Sequence, residues 1–172
     1  MRRRAIPLAC ITAGVLLALL PTLLAPRPLL VWNASASLPR GFYRITAANA
    51  ARPGDLVLAR TPPEWAPMFA ERGYLPRGVP LLKRVAATAG ATVCRKGVAI
   101  LIDGTEHATA LRADRAGRPL PAWSGCRRLD TDEVFLLIPE HPASLDGRYF
   151  GPTPANLVIG RAAPVWTMPD GR

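Results

Sequence analysis

Apolar residues occupy this chain in two different ways. From Ala5 to Ala25 they form one uncharged run, about the length a helix needs to cross the hydrocarbon core of a bilayer. Beyond it they come in short bursts punctuated by Pro and Gly, the pattern of strands joined by turns. The bursts predict strands over Arg44–Ala47, Leu56–Ala59, Val79–Ala87, Thr92–Arg95, Val98–Ile102, Glu133–Ile138, Leu157–Ala162 and Ala163–Trp166. Asp103-Gly104 is a hairpin turn signal, and Arg52–Asp55 reads as a further turn. Glu64–Arg72 predicts a short helix started or interrupted at Pro67, inside a surface excursion from Thr61 to Pro80. Residues 105–128 are polar and read as an extended lobe, and Pro139–Pro154 as a turn-rich loop. The fold class expected is mainly β, behind one N-terminal transmembrane helix.

Composition sharpens this picture. A length of 172 residues allows one domain plus an anchor, and a hydrophobic fraction of 49% is ample for a core. Arg2, Arg3 and Arg4 favour a cytoplasmic N-terminus, and Trp32 suits the far interface of a membrane. Pro21 inside the run is tolerated in a membrane helix. The other reading is a cleaved secretory signal, cut after Ala25 or Ala36. The second cut would remove Ser35 and leave Ser37 at the new N-terminus. Too little hydrophobic sequence precedes Cys10 for lipid attachment there.

The net charge of +10 is partly local, since the first thirty residues hold four arginines and no acid. The rest carries 18 basic against 12 acidic groups, scattered and without interleaved aromatics. That distribution argues against nucleic acid as a partner and suits a body lying beside the anionic headgroups of a lipid bilayer. Cys94 and Cys126 form either a disulfide, as an isolated pair in an oxidising compartment does, or two buried thiols. No CxxC spacing or His cluster suggests a metal, and no cofactor is expected.

The candidate chemistry lies in three stretches. In Asn33-Ala-Ser-Ala-Ser-Leu-Pro-Arg-Gly-Phe-Tyr43, Ser35 and Ser37 alternate, so in an extended strand they share a face ahead of the Pro39/Gly41 turn. Lys83 is one of only two lysines and sits among apolar residues, with Leu81 and Val85 on its face. Burial lowers a lysine pKa, and a neutral amine can take a proton from a serine hydroxyl. A strand lysine snorkelling to solvent is the plainer alternative. Lys96, in Arg95-Lys-Gly97, reads as a solvated turn residue. His107 lies in the polar lobe, and His141 is separated from Ser144 by Pro142 and Ala143, so a histidine route is poor. In the third stretch Ser144, Asp146 and Arg148 alternate, with Asp146 able to pair with Arg148.

Taken in order, Ser37-Leu-Pro39, Leu82-Lys-Arg-Val85 and Ser144-Leu-Asp-Gly-Arg-Tyr-Phe-Gly151 resemble the boxes of the type I signal peptidases, over essentially residues 1–166. Those enzymes are membrane-anchored serine–lysine proteases. The first and last stretches look most like the family's conjugative-transfer branch, which matures a conjugative pilin, in one system with cyclisation. The resemblance implies a signal-peptidase-like β-sheet or barrel body. It makes Ser37 the nucleophile and Lys83 the general base, with the Ser35 hydroxyl and the Ser37 N–H as oxyanion donors. Ser144 would orient the amine, and Asp146 and Arg148 would fix that loop. The strands carrying Ser35 and Lys83 would hold an extended precursor protein by main-chain pairing, with small pockets selecting small residues before the cut.

It further implies residues 1–32 as stub and anchor and 33–172 as a periplasmic peptidase domain. A lobe of about 95–128 would be closed by Cys94–Cys126. The expected place is the bacterial inner membrane, single-pass, with other transfer-apparatus proteins as possible partners. Pro139-Glu-His-Pro142 replaces the Gly-Asp-Asn segment of the housekeeping enzymes, and Leu38 replaces their Met. Both departures favour a specialised branch. A housekeeping signal peptidase and a non-catalytic assembly protein are the alternatives.

Overall fold

Alternation of side chains decides the larger of two sheets. Strand β2 (Gly41–Thr46) turns Tyr43 and Ile45 inward and leaves Phe42, Arg44 and Thr46 exposed. Strands β4 (Leu81–Thr88) and β9 (Glu133–Leu137) are buried along most of their length. That is the pattern of strands covered on both faces. The structure is a computed structural model that describes residues 10–17, 28–48 and 50–168. Residues 10–17 are helical (α1), and their side chains, including Ile11, Leu16 and Leu17, are exposed. Among the described residues no helix is long and apolar enough to cross a membrane. The anchor expected over Ala5–Ala25 lies for the most part outside them.

The seven-stranded sheet runs β1-β2-β11-β3-β4-β9-β10, with every neighbouring pair antiparallel. Its remaining members are β1 (Leu30–Asn33), β3 (Leu56–Ala59), β10 (Thr153–Pro154) and β11 (Val158–Thr167). The two closing strands expected at the C-terminus are one strand, β11. It lies between β2 and β3 and pairs with both, with one register irregularity along each pairing. The smaller sheet is β7-β6-β5-β8, from β5 (Thr92–Lys96), β6 (Ala99–Ile102), β7 (Thr105–Thr109) and β8 (Gly125–Arg128). The polar stretch 105–128 therefore begins and ends in strands that its composition does not announce. Their side chains are mostly exposed, so no apolar alternation marks them. Cys94 and Cys126 face each other across β5 and β8 and form a disulfide.

Packing joins the two sheets. Val93, Ile100 and Ile102 of the smaller sheet meet Ala87, Phe135 and Leu137 of the larger in one buried cluster. A second cluster of Phe69, Leu81 and Phe150 ties α2 (Ala66–Glu71) to β4 and to α3 (Gly147–Phe150). Helix α2 matches the short helix expected there, with Pro67 in its first turn, where its missing N–H costs nothing.

Candidate active site

The first candidate stretch is a turn, contrary to the extended strand expected for Ser35 and Ser37. Strand β1 ends at Asn33 because the Asn33 side chain takes up the main-chain groups a neighbouring strand would have used. Its Nδ2 donates to the carbonyls of Ser35, Leu38 and Pro39 at 3.1–3.2 Å. Its Oδ1 accepts from the Ser35 N–H at 3.1 Å and the Ser35 hydroxyl at 2.8 Å. Tyr43 Oη closes the same turn on the Pro39 carbonyl at 2.7 Å. The two hydroxyls still come together, with Ser35 Oγ 3.2 Å from Ser37 Oγ. A hydroxyl has one proton, so Ser35 must release Asn33 before it can donate elsewhere.

Gly41 follows this turn at a φ of +154°, and a Cβ there would lie 2.1 Å from the Trp166 carbonyl oxygen. Only glycine lets β11 approach β2 at this point.

Lys83 reaches the turn from β4, inward-facing and 4% exposed, while Arg84 beside it is exposed. Its Nζ donates to Ser144 Oγ at 2.8 Å and lies 3.4 Å from Ser37 Oγ. Burial pulls the amine's pKa from 10.5 down to about 8. The Asp146 carboxylate works against that lowering, and the Arg148 guanidinium adds to it.

Behind Ser144 the loop is fastened by a buried ion pair. Asp146 and Arg148 have fully buried side chains, with Arg148 Nε 2.8 Å from Asp146 Oδ1. Asp146 also caps α3 by accepting from the Arg148 N–H, and it takes the Ile138 N–H at 3.0 Å. Arg148 gives its other N–H groups to the carbonyls of Thr109 and Ile138.

The structure thus brings Ser35, Ser37, Lys83 and Ser144 into direct contact and puts Asp146 and Arg148 beneath them. Cys94 and Cys126 lie apart, in the smaller sheet. His107 is exposed on β7, whereas His141 is on the rim of the cleft that holds the serines and the lysine. That cleft has a volume of about 350 Å³. An amine near neutrality beside a hydroxyl can act as a proton acceptor, and main-chain N–H groups at a tight turn can hold a developing oxyanion.

Several supporting residues were not foreseen. Asn33 shapes the serine turn. Arg95, 4% exposed, donates to the Arg148 carbonyl at 2.5 Å and so joins the smaller sheet to the loop. Tyr149 Oη accepts from the Leu111 N–H and donates to the Pro142 carbonyl, which ties the segment following β7 to the same loop. Alternation along Thr92–Lys96 does put Arg95 on the buried face of Val93, which is the one signal the sequence held.

The family described as signal peptidase, peptidase S26, matches residues 2–167. A "Probable conjugal transfer protein TraF" from Sinorhizobium fredii (strain NBRC 101917 / NGR234) is 41% identical, over 78% of this chain and 76% of its own. A "Plasmid transfer protein TraF" from Escherichia coli is 33% identical, over 78% and 81%. A "Conjugal transfer protein TraF" from Agrobacterium tumefaciens (strain 15955) is 36% identical, over 79% and 81%. A crystal structure of a signal peptidase I from Enterococcus faecalis V583 covers 67% of this chain and 98% of its own, at a TM-score of 0.39 and 19% identity. With the family match running over residues 2–167 and a relative 41% identical over most of both chains, this chain belongs to the signal peptidase family, peptidase S26.

Proposed function

We propose that the chain is a membrane-anchored serine endopeptidase that processes a precursor protein of a conjugative or type IV secretion apparatus, a pilin foremost. The observation that carries this reading is the Ser37–Lys83 contact at 3.4 Å, with the amine buried and its pKa near 8. Family membership supports serine peptidase chemistry, and the names of the TraF relatives support its setting in conjugation. Residues 1–32 serve as stub and anchor, their end also forming β1. Residues 33–172 form the domain on the periplasmic side of the inner membrane.

In this reading Ser37 Oγ attacks the scissile carbonyl and its proton passes to Lys83 Nζ. The Ser37 N–H and, once rotated from Asn33, the Ser35 hydroxyl hold the oxyanion. Donors of this kind contribute about 3–4 kcal/mol each. Lys83 then protonates the leaving amine, which leaves an ester on Ser37. Water releases a linear product, whereas an amine of the same substrate chain releases a ring. Ser144 orients the Lys83 amine, and Asp146 and Arg148 hold its loop.

Mass spectrometry of a co-expressed candidate pilin tests this, with wild type, Ser37→Ala and Lys83→Ala. Processing should disappear in both variants at equal membrane levels, a loss of about a thousandfold or more. A ring would be lighter than the linear product by one water. Processing that survives in both variants would sink the dyad.

A further inference from the structure

The cleft contains charge that the proposed chemistry does not use. Among its described lining residues there is no Asp or Glu, while Lys83, Arg115 and His141 all border it. Lys83 is engaged by the two serines. Arg115 has no hydrogen bond or ion pair among the described residues, although the charged groups on either side of it are closely paired.

Its placement is built rather than incidental. Asp114 Oδ1 accepts from the N–H groups of Ala116 and Arg118, at 2.9 and 2.8 Å. Asp114 Oδ2 takes the Arg118 Nε–H at 2.7 Å and the Tyr74 hydroxyl at 2.5 Å. Arg118 also lies over the Tyr74 ring, and Arg72 Nη1 donates to the Pro119 carbonyl at 2.7 Å. The turn from Asp114 to Arg118 is therefore wrapped around one carboxylate and docked on the excursion that carries α2. Arg115 is at its tip, on the cleft wall, with its neighbours' charges consumed in holding the turn.

The geometry points to Arg115 as a specificity residue that binds a carboxylate of the substrate beside the cleavage point. This rests on the peptidase reading above. A guanidinium is a planar fork of donors that matches a carboxylate with two parallel hydrogen bonds. No described acidic side chain lines the cleft to oppose an anionic group of the substrate at Arg115. The carboxylate can be an Asp or Glu side chain of the precursor or its own C-terminus.

A peptide pool tests this with the full-length protein in detergent-solubilised membranes. Each peptide has small residues before the intended cut. A single Glu or Gln is moved one position at a time across both sides, and the C-terminus is free or amidated. Wild type should prefer the carboxylate over the amide at one position by about tenfold in kcat/KM, less at high salt. A preference following Glu over Gln identifies a side chain, and one following the free terminus identifies the C-terminus. Arg115→Gln should bring the ratio close to one, Arg115→Lys should keep part of it, and Arg115→Glu should invert it. Cleavage with no such preference, or with a preference that persists in Arg115→Gln, overturns the assignment and leaves the peptidase reading intact. If wild type cuts no member, or Ser37→Ala cuts as well as wild type, the peptidase reading falls and this assignment with it.

Discussion

Two buried basic side chains serve the same region, Lys83 of β4 in the lining of the cleft and Arg148 of α3 in the loop behind Ser144, and their surroundings differ completely. Arg148 spends its side-chain N–H groups on the Asp146 carboxylate and on the carbonyls of Thr109 and Ile138. Lys83 has two hydroxyls and no anion in contact, with Ser144 at 2.8 Å and Ser37 at 3.4 Å. The first arrangement holds a charge permanently. The second lets a charge go, because a desolvated amine without a carboxylate partner loses its proton near neutrality. The saturated node keeps the loop rigid so that the sparsely paired amine can remain sparsely paired, a division of labour that stability and activity measurements can separate.

Breaking the node should have the largest effect. Arg148→Met leaves the Asp146 carboxylate buried with main-chain N–H donors but no counter-charge, a loss of about 3–5 kcal/mol. Denaturant unfolding followed by circular dichroism should show it, and a change below about 1 kcal/mol would mean the node is not structural. Asp146→Asn should fall in the same range.

Reduction of Cys94–Cys126 comes next, at about 2–4 kcal/mol. Arg95 follows Cys94 on β5 and reaches the Arg148 carbonyl, so loosening the smaller sheet reaches the node from behind. Hydrogen exchange should rise first in β5 and β8, then in residues 144–150. Exchange confined to β8 would show that the smaller sheet does not support the loop.

Lys83→Met should act in the opposite direction. Below pH 8 the native chain holds a cation that solvent would have hydrated, which costs about 3 kcal/mol against an ordinary lysine. Between about 8 and 10.5 the unfolded chain binds a proton the native one lacks, so this cost fades as pH rises through that window. With the Ser144 hydrogen bond lost, the variant should be more stable than wild type by about 2 kcal/mol at pH 7. The gap should close as pH rises above 8 and reverse by about 1 kcal/mol near pH 10.5, where only the lost hydrogen bond remains, while cleavage is abolished. In wild type, kcat/KM should climb about tenfold per pH unit up to about 8 and then level. A flat profile from pH 6 to 9 would remove Lys83 as the base.

Ser144→Ala should give the smallest change. Losing a single orienting hydrogen bond should lower kcat by about tenfold with KM unchanged. Stability should move by about 1 kcal/mol or less. Partial rescue by Ser144→Thr separates orientation of the amine from simple packing.

What was legible beforehand follows from what each interaction depends on. Strands β3, β4, β6 and β9 were readable because burial on a pleated sheet imposes an apolar pattern on the local sequence. Lys83 stood out because a lysine among such residues is rare. Strands β7 and β8 were not readable, since their exposed side chains follow no apolar pattern and they exist through pairing with β6 and β5. The Ser35–Ser37 stretch was read as extended because alternation is a local feature. The turn that replaces it is made by Asn33 reaching main-chain groups as far as Pro39.

The sequence by itself determined the mainly β class, the order of the three candidate stretches and the residue types available for chemistry. These are consequences of composition and of spacing along the chain. Only the tertiary structure decided that Ser37, Lys83 and Ser144 touch, that Arg95 locks the smaller sheet and Tyr149 the segment after β7 to the loop, and that Arg115 borders the cleft. Each of those contacts joins residues far apart in the chain, and such contacts depend on strand register, disulfide closure and docking of the turn, which no local pattern encodes.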